Sequence, residues 1–237
     1  MLINLHGGGF VLFRGLGMGM LESIPVASMG RIKVITIDYR QAPSFTYPAA
    51  SEDVAAVYRE LLKQYKPEGI GMFGCSAGGV LTAQMVAWFQ AAGLPRPGAI
   101  GIFCAAPPTA SHLWQGGDSM VWAELGVPAS SGNGAPSLPS EWNWYMEGAD
   151  INDVKAYPGA SDRVLAKFPP TLLLSGTRAF EMSHVVVAHA RLLRLGVESS
   201  LYIMEGAWHG AVLTADTPEG RAANAYIAHW FDRHLVR

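Results

Sequence analysis

The residues best suited to chemistry stand in a pentapeptide, Gly74-Cys75-Ser76-Ala77-Gly78, which follows a β-rich run and opens a helical pattern. Small residues on both sides let a serine sit on a sharp strand-to-helix turn with its hydroxyl presented for nucleophilic attack. A glycine-rich turn with an N-capping serine would explain the pentapeptide alone. A second motif argues against that plainer reading. His6-Gly7-Gly8-Gly9-Phe10 ends the first β-rich run, and three consecutive glycines are costly in chain entropy unless their backbone N–H groups must converge on something, such as a developing oxyanion. A serine nucleophile also needs a base. Among seven histidines, His209 lies in Glu205-Gly206-Ala207-Trp208-His209-Gly210, directly after the last β-rich run, whereas His189, His229 and His234 fall in helical patterns and read as surface or packing residues.

The elements that must carry these groups alternate along the chain. Leu2–Leu5, Lys33–Ile37, Ile70–Phe73, Ala99–Cys104, Thr171–Leu174 and Ser200–Ile203 read as strands, and Ala49–Gln64, Ala77–Ala92, His184–Leu195 and Pro218–Leu235 as helices. Such alternation predicts an α/β fold: a mostly parallel sheet of about six strands, right-handed crossovers, and helices on both faces. In sheets of this kind binding chemistry gathers at the carboxyl ends of the strands, which is where both glycine motifs and His209 fall. One stretch breaks the rhythm. Residues 107–168 form an insertion that contains Gly126–Ser140, reading GVPASSGNGAPSLPS, and four tryptophans: Trp114, Trp122, Trp142 and Trp144. Loops of this length in compact domains are often lids; a satellite aromatic core is the other reading.

Composition narrows the setting. At 237 residues, 50% hydrophobic and only 15% charged, the chain suits one domain, 1–237, with a large core, which excludes disorder and coiled coil. A formal net charge of −2 without a basic run gives no electrostatic drive toward nucleic acid or anionic membrane. No apolar stretch is long enough to span a bilayer, and Met1–His6 lacks a cationic flank or cleavage site, so a cytoplasmic location is expected. Two cysteines, Cys75 and Cys104, cannot make a disulfide scaffold. Both are expected to be buried and apolar in role, with no bridge between them, in agreement with a reducing compartment.

The motifs together resemble the hormone-sensitive-lipase-like branch of the α/β-hydrolase esterases: HGGGF at His6–Phe10, DYRQAP at Asp38–Pro43, YPAA followed by Asp53, GCSAGG from Gly74, PPTLLLSGTR at Pro169–Arg178, and EGAWHG at Glu205–Gly210. The resemblance covers nearly the whole chain, in the hydrolase order of serine, acid, histidine. It implies Ser76 as nucleophile, His209 as its base, and the N–H groups of Gly8, Gly9 and Ala77 as the oxyanion hole. It also implies Phe10 and Trp208 as substrate contacts. The implied activity is hydrolysis of short- to medium-chain carboxylic esters through an acyl-enzyme, with a small-molecule ester as partner and with no cofactor or metal.

Two departures from that pattern stand out. The family's acid usually follows SGTR, where this chain has Ala179. Glu181, two residues on, is the expected replacement; the alternatives are loss of the acid, or service by Asp162 or Glu205. Loss would leave a catalytically impaired hydrolase, or a small-molecule receptor using the old pocket. Second, the family usually has two further strands and cap helices before HGGGF. A sheet without them leaves the strand at Lys33–Ile37 with an unpaired edge, and a homo-oligomer is expected to cover it.

Overall fold

In the computed structural model, which describes residues 1–111, 113 and 140–236, the strands are β1 (Leu2–Leu5), β2 (Val34–Ile37), β3 (Gly71–Cys75), β4 (Ala99–Phe103), β5 (Thr171–Gly176) and β6 (Ser199–Met204). They form one sheet in the order β2-β1-β3-β4-β5-β6, with every neighbouring pair parallel. Side chains alternate across it with period two. Ile3, Leu5, Met72, Ile100, Ile102 and Leu173 face one apolar layer. Leu2, Phe73, Cys75, Phe103, Leu172 and Leu174 face the other.

Each layer is closed by helices. Helices α2 (Ala49–Leu61), α3 (Ala77–Ala91) and α5 (Met182–Arg194) cover the first face, and α1 (Gly17–Gly30) and α6 (Pro218–His234) the second; α4 (Asp162–Leu165) is a single turn. On α2 the buried residues Ala50, Val54, Tyr58 and Leu61 recur at intervals of three and four, so one stripe of the helix meets the sheet. Central α3 is buried almost all round. At the start of α6, Thr217 Oγ1 accepts from Gly220 N at 3.0 Å and Pro218 occupies the first turn, where its missing N–H costs nothing.

The expected strands and the four expected helices occur within two or three residues of their sequence-read bounds. Helix α1 was not foreseen. Its segment carries Gly17, Gly19, Gly30 and an internal Pro25, all of which read as helix breakers. Gly19 is required by packing, because a Cβ there would overlap the Thr36 side chain on β2. The cysteines call for a correction: Cys75 and Cys104 are joined as a disulfide, with Cα atoms 5.2 Å apart. Cys75 ends β3 and Cys104 directly follows the adjacent parallel β4 with a positive φ of 53°, so the chain leaving β4 is turned back beside Cys75.

Much of the insertion, including Trp114 and Trp122, lies outside the described residues, as does the side chain of Trp142. Its described part is anchored to the helical layer. Tyr145 is fully buried; its backbone oxygen accepts from Tyr47 N at 2.6 Å and its hydroxyl from Ala50 N at 2.8 Å. Gln84 on α3 donates to Ala156 O at 2.9 Å. Trp144 is exposed.

Candidate active site

Parallel order 2-1-3 creates a topological switch between β1 and β3: the chain leaves β1 toward one face through α1 and leaves β3 toward the other through α3. Loops at such a switch diverge and leave a crevice at the carboxyl ends of the strands. Both glycine motifs open there, since β1 runs into His6-Gly7-Gly8-Gly9 and β3 into Ser76.

Ser76 is held at φ 58°, ψ −120°, a conformation that costs a non-glycine residue roughly 1–3 kcal/mol. Its backbone is pinned on both sides: Ser76 N donates to Phe103 O at 2.8 Å, and Ser76 O accepts from Val80 N at 3.0 Å. Gly74 and Gly78 are demanded by close approach, because a Cβ at either would overlap the Leu5 carbonyl. The turn therefore projects the Ser76 hydroxyl away from the strand while Ala77 opens α3, its N–H among the unpaired donors of a helix start.

Across the crevice, Gly8 and Gly9 have φ of 123° and 62°. Gly8 O accepts from Val11 N at 3.1 Å and Leu12 N at 2.8 Å, which folds the loop into a tight turn. Among the described residues no acceptor engages the N–H groups of Gly8, Gly9 or Ala77. His6 sits behind this loop, fully buried, stacked on Tyr39 at 4.5 Å with Nδ1 2.7 Å from Gly7 O; burial lowers its pKa and favours the neutral ring.

His209 arrives from the turn after β6. Gly206 N donates to Thr177 Oγ1 at 2.8 Å and Arg178 N to Ala207 O at 3.0 Å, which ties that turn to the loop after β5. The imidazole stacks on Phe180 at 4.4 Å. Its Nε2 lies 3.0 Å from Ser76 Oγ and its Nδ1 2.9 Å from Glu181 Oε2. Glu181 is fully buried, and its other oxygen accepts from Ser175 Oγ at 2.9 Å. A carboxylate only accepts, so Nδ1 carries the ring proton and Nε2 turns a lone pair toward the Ser76 hydroxyl. The other carboxylates lie elsewhere: Asp162 bonds Arg191 Nε at 2.7 Å, and Glu205 is exposed. Ala179 is buried, 0% exposed, so the usual acid position is occupied by a methyl group.

The two expected substrate contacts separate. Trp208 is 63% exposed beside His209. Phe10 is 0% exposed, stacked on Tyr145 at 4.4 Å and edge-on to Tyr39 at 6.0 Å. Among the described residues Tyr145 and Tyr39 wall in the Phe10 ring, which backs the site. Sequence reasoning also passed over Ser175, a serine in an apolar strand, and Glu22, the lone acid in the run Gly17–Gly30. The unexpected charge within an apolar run was the available signal for Glu22.

Known proteins carry the same framework. A family model described as alpha/beta hydrolase fold matches residues 2–213. A putative acetyl-hydrolase, LipR, of Mycobacterium tuberculosis (strain ATCC 25618 / H37Rv) is 32% identical over 149 residues, covering 60% of this chain and 43% of the relative. An acetyl-hydrolase of Streptomyces hygroscopicus is 29% identical over 186 residues, covering 74% and 56%. The chain thus spans about half the length of these curated relatives. Among solved structures, esterase E25 superposes with a TM-score of 0.82 at 32% identity, over 99% of this chain and 70% of that one. An esterase from the bacterial hormone-sensitive lipase family gives 0.85 at 25% identity, over 99% and 76%. With a parallel sheet, a serine elbow and a glycine loop in that family's arrangement, and a family match over most of its length, this chain belongs to the α/β-hydrolase fold family, among relatives of the hormone-sensitive-lipase-like esterases.

Proposed function

We propose that the protein is a serine carboxylesterase that hydrolyses small carboxylic esters of short to medium acyl chain through an acyl-enzyme. The observation that carries this reading is the unbroken hydrogen-bonded line from Ser76 Oγ through His209 to buried Glu181, facing a glycine loop with unengaged N–H groups. In acylation Ser76 Oγ attacks the ester carbonyl carbon as its proton passes to His209 Nε2. The oxyanion so formed accepts from Gly8, Gly9 and Ala77 N–H, and Glu181 stabilises the imidazolium. Collapse breaks the ester C–O bond, and Nε2 returns its proton to the departing alcohol. In deacylation a water gives a proton to Nε2 and attacks the acyl carbon; the carboxylic acid leaves and Ser76 regains its proton. No step calls for a metal or cofactor. The names of the similar proteins, acetyl-hydrolase and esterase, support the same reaction class.

The receptor reading rests on Ala179, and the Glu181–His209 hydrogen bond at 2.9 Å supports the esterase reading instead. A p-nitrophenyl ester series of increasing acyl length, run beside Ser76→Ala, tests the esterase reading. Hydrolysis confined to the parent, with Ser76 labelled by a serine-reactive phosphonate, is the expected result. Activity that survives Ser76→Ala, or an unlabelled Ser76, overturns it.

We further propose one domain over 1–237. A homo-oligomer is proposed to form through the edge of β2. Its support is that among the described residues β2 pairs with β1 alone, beside exposed Met20, Leu21 and Ile24 on α1. A monomer at micromolar concentration by sedimentation refutes it. Among the described residues no helix is long and apolar enough to cross a membrane. The expectation of unbridged cysteines agreed with a reducing compartment, and the Cys75–Cys104 disulfide removes that agreement.

A further inference from the structure

Glu22 takes no part in the reaction steps above, yet it is 4% exposed directly behind the site. One carboxylate oxygen, Oε1, accepts from Gly7 N at 2.8 Å. The other, Oε2, accepts from Asn4 Nδ2 at 2.8 Å and, more weakly, from Cys75 N at 3.4 Å. Gly7 directly precedes the two glycines that face the oxyanion, Cys75 directly precedes Ser76, and Asn4 stands on β1. A single side chain on α1 therefore clasps the peptide leading into the glycine loop and the peptide leading into the elbow. The two loops are in tight register where it does so: a Cβ on Gly7 would lie 2.9 Å from Cys75 O and 3.5 Å from Ser76 Cβ.

Its surroundings make the choice of a carboxylate informative. Val26, Phe73, Phe103, Val212 and Ile227 border the same small cavity as Glu22. Burying an acid among such groups is unfavourable, and an apolar residue of similar volume generally stabilises a fold more. A group kept against that cost needs a reason beyond packing. Two backbone N–H groups and the Asn4 amide, converging from three separate points of the chain, supply one, because only an acceptor with two oxygens can hold all three.

We propose that Glu22 is a positioning residue that sets the distance and angle between the Gly8–Gly9 N–H donors and Ser76 Oγ. This inference rests on the esterase reading. Its physical basis is that an oxyanion hole works only with donors aimed to within a few tenths of an ångström of the developing charge. A misplacement of about 1 Å can cost on the order of 100-fold in rate. Glu22 touches neither substrate nor the reacting atoms, so its loss should appear in turnover and in binding of a tetrahedral adduct, and hardly in ground-state binding.

Two substitutions separate the two sides of the clasp. Glu22→Leu removes both acceptors. Glu22→Gln keeps an oxygen for Gly7 N and lets the Asn4 amide turn to match its NH2, but sets that NH2 against Cys75 N–H. The intact chain is assayed with p-nitrophenyl butyrate, and rates are expressed per site titrated by a phosphonate, so misfolded protein does not count. For Glu22→Leu, kcat per titrated site is expected to fall roughly 10- to 100-fold, with KM within about threefold and boronic-acid affinity falling alongside kcat. Glu22→Gln should show a smaller loss of the same kind, and it decides the matter if Glu22→Leu does not fold. Unchanged kcat per titrated site in the variants that fold, or a raised KM at unchanged kcat, overturns the positioning role while leaving the esterase reading intact. A parent enzyme inert toward every ester overturns the esterase reading first and this inference with it.

Discussion

Replacing Glu181 by glutamine tests the site through a consequence that only its hydrogen-bond geometry dictates. Glutamine matches glutamate in shape, so a buried residue at 0% exposure is exchanged without a cavity. In the parent Ser175 Oγ donates to Oε1 at 2.9 Å, and while that hydroxyl remains the donor only the amide oxygen can accept the bond. In that orientation the amide NH2 faces His209 Nδ1, where the structure has Oε2 at 2.9 Å. Two donors cannot share a hydrogen bond, so Nδ1 becomes the acceptor and the ring proton moves to Nε2. That nitrogen lies 3.0 Å from Ser76 Oγ and is then unable to take its proton. The same inversion of tautomer in a serine protease costs about 10⁴ in turnover, or about 5.5 kcal/mol. We expect Glu181→Gln to lower kcat by 10³ to 10⁴ in a p-nitrophenyl butyrate assay. KM and the melting temperature should change little. In Ser175→Ala/Glu181→Gln the amide is free to turn its oxygen toward Nδ1, which restores the productive tautomer. The double variant should therefore be at least about tenfold faster than Glu181→Gln alone. A Glu181→Gln enzyme within tenfold of the parent refutes the inverted tautomer, and a double variant no faster than the single one refutes Ser175 as its cause.

Three further outcomes follow from the packing. Burial pushes the Glu22 carboxyl from an ordinary 4.5 to about 7, against the opposing pull of Asn4, Gly7 and Cys75. Because the folded chain binds that proton more tightly than the unfolded one, the associated stability is complete below pH 4.5 and is lost as pH rises through about 7. The difference is about 3 kcal/mol at roughly 1.4 kcal/mol per pH unit, and urea unfolding at pH 5 and pH 8 should show it in the parent and not in Glu22→Gln. The Cys75–Cys104 bridge predicts no uptake of iodoacetamide by the denatured, unreduced chain and two adducts after reduction, read by mass; two adducts without reduction would disprove the bridge. Phe10→Ala should destabilise the fold by about 3–5 kcal/mol, since the ring is wholly buried between Tyr145 and Tyr39. A variant that melts with the parent but changes acyl preference would return Phe10 to the substrate pocket.

What the amino-acid sequence determined by itself was the part of the protein whose information is local. Strand and helix periods, the glycines around Ser76, the glycine run after β1 and the place of His209 after β6 are each written within a few adjacent residues, because steric demands on φ and close backbone approach act over that range. Helix α1 escaped because its signals were local too, and pointed the other way: glycines and a proline that tertiary packing overrode. The remaining assignments depended on which distant segments meet. Glu181 finds His209 across 28 residues, Glu22 finds Cys75 across 53, and His209 finds Ser76 across 133. The cysteine pair depended on strand order, since only the adjacency of β3 and β4 brings Cys75 beside Cys104. Phe10 turned inward because Tyr145, from the far side of the insertion, supplies a stacking partner that no local pattern announces. Short-range sterics can be read along a chain, but hydrogen-bond partners and aromatic neighbours are chosen in space, and the sheet topology made those choices.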